Sequence, residues 1–443
     1  MQLFWKIEEM ASSVATLRIA RLSLPIELTR QGWFALFFLA GFVFRFGFVL
    51  WARTFVGSPT TITPFGAEVC RLASHIAAGH GFHSPFQGVE TGPSAWVAPA
   101  YPYLVALVFR VFGDYTARSA LILLGLQCAL GAATAITIYS LGTRTFGQRV
   151  GYGAACIWTF SPIFFRWPTS WIWDFAASAL LLSLIFIAAL EAGEKGTTAN
   201  WLRLAGLWGL SALTNPALLS LMPFTFFQAA WMNRKAGVPY SRRLFYALAV
   251  FGLMVSPWLV RNYRVFGRPV FLRDNFWFEF SLGNYHNSNG MGWGGKHPDG
   301  NPLIREQAAK LGELEFIHYH KNEALEFLRQ YPGEFAALTS GRIRWFWDGT
   351  PTLYMASEWW QPWEYWPLSA SGLLGLFFVL TRRPRGWLLY AAALAIYPIP
   401  YYLTFAHPKY RYSIEPEMLL LSVYLVSVVW SEITKRKSTQ AVQ

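Results

Sequence analysis

Cysteine is scarce in this chain, with three among 443 residues: Cys70, Cys128 and Cys156. No CxxC pair occurs, and two of the three fall in apolar runs, so neither a disulfide framework nor a thiol redox centre is indicated. Their expected role is that of small buried apolar groups. Charge is scarce too. Charged residues make up 14% of the chain, against about a quarter in a soluble domain. Acids are outnumbered 24 to 37 by Lys and Arg. The N-terminal thirty residues lack the compact charged, apolar and small-residue order of a cleaved signal. Arg18, Arg21 and Arg30 interrupt them, and residues 1–32 are expected to be a cytoplasmic, amphipathic segment on the membrane surface. Internal repeats, frequent in transporters, are also lacking.

What the chain does have is apolar length. Hydrophobic residues are 54% and aromatics 18% of the total. Runs near 33–52, 118–141, 150–166, 173–191, 201–213, 216–232, 244–260, 366–381, 386–405 and 413–431 approach the ~20 residues that cross a bilayer. The reading is an all-α polytopic membrane protein of about ten spans. Asn215–Pro216 makes the 201–232 pair either a tight hairpin or one kinked element.

Lys and Arg clusters orient it. With the N-terminus inside, Arg144/Arg149, Lys195, Arg234/Lys235/Arg242/Arg243, Arg382/Arg383/Arg385 and Lys435/Arg436/Lys437 all fall inside. Both termini are then cytoplasmic, with 432–443 as a tail, and an inner membrane is expected. The net charge of +13 reflects this bias together with anionic headgroups, and indicates no nucleic-acid partner.

Two long segments fall outside, 53–117 and 261–365. The first divides a transmembrane half at 33–260, and the second precedes C-terminal spans at 366–431. Connections this long are functional candidates. In the first, Val69, Leu72, Ala73, Ile76 and Ala77 form a helical stripe after Glu68, ended by Gly79 and Gly81. A second short helix is expected over 103–112. In the second, amphipathic helices are expected near 302–320 and 321–330.

Three groups of residues converge on the outer face. The acids are Glu68, Asp174 and Glu90, candidate catalytic groups; an ionisable residue at a span end is a functional candidate. The cations are Arg261, Arg264, Lys409 and Arg411, which break the inside bias and would suit an anionic lipid phosphate. Aromatic groups line both segments, Tyr101 and His407 among the candidate substrate contacts. Such a set suits transfer of a sugar from a lipid phosphate. Cations hold the phosphate and a carboxylate takes the acceptor's proton, which would invert the anomeric centre. His75, His80, His83, His286, His318 and His320 lack strong ligand spacing, so no metal site is expected. No definite cofactor is indicated, and a divalent cation stays possible beside Asp174.

The order of short motifs carries a resemblance. Gly66–Ala67–Glu68, Gly79–His80–Gly81–Phe82, Pro93–Ser94–Ala95–Trp96, Pro99–Ala100–Tyr101–Pro102, Pro257–Trp258, Arg261–Asn262, Gly283–Asn284 and His407–Pro408–Lys409–Tyr410–Arg411 stand in sequence. Over about 33–431 the chain resembles the C-type, multi-spanning glycosyltransferases that use polyprenyl-phosphate sugars. That superfamily includes protein mannosyltransferases and lipid A aminoarabinose transferases, and the likeness is to its bacterial family-39-like members.

The resemblance implies a cavity open to the outer leaflet, a periplasmic active site and an acidic base in the first outer loop. It also implies a polyprenyl-phosphate sugar donor and a glycan, lipid or protein acceptor, hence a hexosyl- or pentosyltransferase. Relatives commonly carry Asp there, often Asp-Glu; here Glu68, preceded by Ala67, is the acid. Asp174 matches an acid of the second outer loop. Arg261, Lys409 and Arg411 match positions near the lipid phosphate. The competing readings are a flippase for lipid-linked saccharides and a non-catalytic assembly subunit.

Overall fold

The computed structural model describes residues 30–58, 63–66, 68–290, 295–349 and 361–440. The expected N-terminal surface segment, most of the glycine-rich turn at 290–295 and the last three residues lie outside that description. The fold is all-α. Among the described residues, β pairing is limited to the single bridge between His83 and Pro93.

The first span is α1, Arg30–Trp51. Helices α2 (Glu68–Ala77) and α3 (Ala100–Phe112) follow in the outer segment. Then come α4 (Ala117–Thr145), α5 (Gln148–Phe160), α6 (Phe175–Lys195), α7 (Thr198–Thr214), α8 (Met222–Lys235) and α9 (Ser241–Phe266). A helix stands at each of the ten expected positions. Among the described residues, five stretches are long and apolar enough to cross a membrane by length and composition: Gln31–Trp51, Ala117–Thr145, Phe175–Lys195, Ser241–Phe266 and Pro408–Lys435. Others are shorter or broken; the run at 150–166 ends as a helix at Phe160, followed by a Pro162 turn.

Local chemistry sets these boundaries. Thr116 accepts the Ser119 amide and starts α4, and Thr197 does the same for α7 through Asn200, as N-caps do. Gly196 ends α6 in the left-handed conformation, where a Cβ would be strained. The 201–232 pair is a hairpin. Asn215 caps its 3-10 turn through the Ala217 amide. Two hydrogen bonds cross it, Trp201 Nε1 to Asn233 Oδ1 (3.2 Å) and Trp208 Nε1 to Thr225 Oγ1 (2.9 Å).

Helix α6 is the centre of the bundle: 83% of its apolar window is buried inside the protein. The second outer segment continues through α10 (Phe276–Gly283), α11 (Pro302–Leu311), α12 (Glu313–Gln330) and α13 (Pro332–Asp348). The break falls at Gly312, not near residue 320, because Gly312 sits at φ +71°, a backbone that favours glycine. Helix α14 (Gln361–Arg382), α15 (Trp387–Ala395), a turn at Pro408–Ile414 and α16 (Glu415–Gln440) complete the chain.

The two outer segments are fastened to one another. Asp299 takes both the Arg71 guanidinium (2.8 and 2.6 Å) and the Gln87 amide (3.1 Å). Glu313 accepts the Ala95 amide, and the Asp274 amide donates to Ala95 O (3.1 Å). Burial pushes the Asp274 and Glu313 carboxyls upward; each beside the other, they favour a shared proton.

Candidate active site

A cavity of about 310 Å³ opens where these segments meet the bundle, and Glu68, Asp174, Arg273, Glu279, His297 and Lys409 line it. Its residues come from segments spread between positions 68 and 413.

Glu68 opens α2, where a carboxylate favours the helix dipole. His297 Nε2 lies 3.3 Å from Glu68 Oε1. The other ring nitrogen, Nδ1, accepts the Asp299 amide (3.2 Å), which fixes the tautomer that donates to Glu68. The Arg71–Asp299 clamp thereby sets the histidine over the carboxylate. Burial alone would raise the Glu68 pKa, but the hydrogen bond from His297, with the Arg71 charge beyond, outweighs it and holds the carboxyl low.

Asp174 immediately precedes α6, and the Ser178 hydroxyl donates to its Oδ2 (3.4 Å). Burial pushes this carboxyl up to about 7, against the pull of Arg273 and Lys409. Two acids of one cavity are thus driven in opposite directions, a pattern that separates acid and base roles. The loop before Asp174 hangs on Gln127 of α4. Gln127 Nε2 donates to Pro168 O (2.8 Å) and Trp171 O (3.0 Å), and its Oε1 accepts the Trp173 amide (3.2 Å).

Lys409 is buried with its ammonium 4.1 Å from the centre of the Trp171 ring and 5.6 Å from that of Trp173. Arg273 Nε donates to Asn275 Oδ1 (2.6 Å), and Asn275 Nδ2 donates to Glu279 Oε1 (3.1 Å). Two cations and three acids therefore face one space walled by Trp96, Trp171 and Trp173.

Of the residues read from the sequence, Glu68, Asp174 and Lys409 line the cavity; the other six stand elsewhere. Glu90 is an exposed rim residue bonded to Ser84 Oγ (2.9 Å). The Arg261 guanidinium donates to Ser94 O (2.6 Å) and Phe82 O (2.8 Å), pinning the first outer loop. Arg264 is exposed and does not line the cavity. Arg411 is buried and engaged with Glu415 (3.2 Å), Ser369 Oγ (2.6 Å) and Trp347 O (3.0 Å); its charge is held within the fold, and Arg273 lines the cavity instead. Tyr101 donates to Gln127 Oε1 (3.1 Å) and so acts behind the Asp174 loop. His407 Nδ1 accepts the Lys409 amide (3.1 Å) and sets that residue's backbone.

Sequence reasoning did not pick out Arg273, Glu279 and His297. Glu279 left a signal, as the lone charge of the helix Phe-Trp-Phe-Glu-Phe-Ser-Leu-Gly. The divalent cation left possible beside Asp174 finds no group of three His, Cys, Asp or Glu ligands there among the described residues.

An all-α bundle with long outer segments and a charged cavity at their junction defines a class of polytopic membrane protein. Residues 96–260 match the family model described as dolichyl-phosphate-mannose-protein mannosyltransferase. Among solved structures, the oligosaccharyltransferase of Archaeoglobus fulgidus aligns with a TM-score of 0.50 at 16% identity, over 92% of this chain and 50% of that one. The likeness is one of fold, and this chain spans about half the length of the archaeal protein. ArnT from Cupriavidus metallidurans, solved with undecaprenyl phosphate, aligns with a TM-score of 0.40 at 14% identity, over 89% of this chain and 78% of that one. No curated protein matches the sequence. The family match is confined to residues 96–260, and what the chain shares with the archaeal structure is its fold.

Proposed function

We propose that the protein transfers a sugar from a polyprenyl-phosphate donor to an acceptor hydroxyl or amide in this cavity, at the periplasmic face of the inner membrane. The observation that carries the reading is the meeting of Glu68, Asp174, Arg273 and Lys409 around one aromatic-walled space.

Arg273 and Lys409 hold the donor phosphate and neutralise the charge that grows as the sugar–phosphate bond breaks. Asp174 hydrogen-bonds the acceptor and sets its angle of approach. The acceptor heteroatom attacks the anomeric carbon, polyprenyl phosphate departs, and the acceptor's proton passes to Glu68. A carboxylate of low pKa suits that step. The attacking atom becomes acidic only once its bond to carbon has formed, and Glu68 must be ionised when it arrives. Attack opposite the leaving phosphate inverts the anomeric centre.

The test is sugar release from a panel of polyprenyl-phosphate sugars by detergent-purified protein, with lipid binding measured in parallel. Glu68→Gln is expected to lower turnover by roughly 10²–10⁴-fold, the usual worth of a positioned base, while still binding lipid. Lipid binding without turnover on any donor would overturn the reading in favour of a carrier or an inactive partner.

A further inference from the structure

His75 lies in the last turn of α2, and the chain then turns back on itself. The Gly79 amide donates to Ile76 O (3.1 Å) and the His80 amide to His75 O (2.9 Å). Gly79 and Gly81 hold φ of +86° and +90°, which lets the chain reverse twice within three residues. It next enters the one β bridge, where the Ser84 amide donates to Gly92 O (3.0 Å) and the Ser94 amide to Phe82 O (3.0 Å). These bonds fix three points of the backbone and bring three imidazoles together. The His75 and His83 ring centres are 4.3 Å apart, and His80 lies 6.1 and 6.0 Å from them.

One nitrogen from each ring lies within 4.8 Å of the others. A tetrahedral zinc with bonds of about 2.0 Å spaces its ligand atoms roughly 3.3 Å apart, a gap that side-chain rotation can close. The group is open to solvent on the His80 side and half-buried at His75 and His83. None of the three lines the active-site cavity.

Glu90 completes the pattern. Its Oε2 is 3.3 Å from His83 Nδ1, and the Ser84 hydroxyl lies 2.9 Å from both that nitrogen and that oxygen. A carboxylate on one nitrogen of a histidine orients the ring and raises the basicity of the other, the usual outer partner of a metal-bound imidazole. Imidazole ligands select zinc, copper or nickel over magnesium or calcium.

We propose that His75, His80 and His83 form a zinc site on the rim of the first outer segment, with His83 binding through Nε2 and Glu90 orienting it. Solvent supplies the open coordination position. Zinc here ties the end of α2 to the 80–93 loop, and so braces the helix that carries Glu68. The site does not depend on the transfer reaction.

The test strips the full-length, detergent-purified protein with a chelator and reloads it with zinc alone, counting metal per chain by mass spectrometry. A cobalt-loaded sample reports four-coordinate nitrogen ligation through its visible absorption. Close to one zinc per chain is expected for wild type, for Glu68→Gln and for His318→Gln, whose histidine is exposed elsewhere. Glu90→Gln should weaken zinc binding by roughly 10–100-fold, as loss of an outer partner does. His80→Gln, at an exposed turn, should weaken it further. Absence of stoichiometric zinc on the wild type would overturn the site, as would unchanged zinc in both His80→Gln and Glu90→Gln.

Discussion

At the residue scale, neighbours decide what each ionisable group does, and Asp174 shows it most sharply. Its carboxyl is raised by burial to about 7, from an ordinary value near 4. A raised acid pKa means that the folded protein holds the proton more tightly than the unfolded chain does. Its contribution to stability is therefore greatest at low pH. It declines as pH rises through the ordinary Asp range and levels off above about 7. Asp174→Asn keeps a neutral side chain throughout. Its thermal midpoint relative to wild type is expected to climb between pH 4 and pH 7 and then hold steady. Paired thermal scans in detergent check this, and a midpoint difference that ignores pH would contradict it.

The same scale shows what the sequence could reveal. Glu68, Asp174 and Lys409 were legible because each breaks its surroundings: an acid opening a helix, an acid at a span end, a cation on the wrong side. His297 and Arg273 were not, since they sit in a polar segment where such residues are ordinary. The Arg71–Asp299 clamp, joining positions 228 residues apart, helps bring His297 to Glu68. Arg411 misleads for a related reason. A cation against the inside bias signals a partner, and the partner turned out to be Glu415 of the same chain.

At the element scale, buried charges serve helix ends. The last carbonyls of a helix lack internal partners, and α5 ends at Phe160 with Trp158 and Thr159 buried. Arg45 of α1 supplies the donors, to Trp158 O (2.6 Å) and Thr159 O (3.2 Å), and it is fully buried. A cation within a span thus acts as a cap for a neighbouring helix, and the run pattern that predicted both spans gave no hint of it. Arg342 does similar work outside the spans, donating to Gly283 O (3.0 Å) and Tyr402 O (2.7 Å). Arg45→Met keeps the length and removes the donors, leaving two buried carbonyls that cost ~1–3 kcal/mol each. The variant is expected to be destabilised by about 3 kcal/mol, visible as a lower midpoint in detergent, with Arg45→Lys partly restoring it. An unchanged midpoint in Arg45→Met would refute the capping role.

At the scale of the whole molecule, the helix ends sort charge into two faces. Asp174 begins α6 and Lys195 ends it. Asn215 closes α7 at the cavity, and Arg234 and Lys235 end α8 at the far side. Acids temper that basic face: Arg144 and Arg203 pair with Glu191 at 2.9 and 2.8 Å. Cavity and basic clusters therefore stand at opposite ends of the bundle, and from the Lys/Arg bias the cavity is expected to face outside. The prediction can be read with thiol labels. Cys70 and Cys128 are buried and Cys156 is half-buried, so the native background is low. Ala236 and Glu306 are both exposed, one in the loop after α8 and one on α11. In right-side-out membrane vesicles an impermeant maleimide is expected to label Glu306→Cys and spare Ala236→Cys until the membrane is opened. Inverted vesicles should give the reverse. Labelling of Ala236→Cys from outside would turn the protein over, moving the cavity, and the lipid-linked donor it is proposed to take, to the cytoplasmic leaflet.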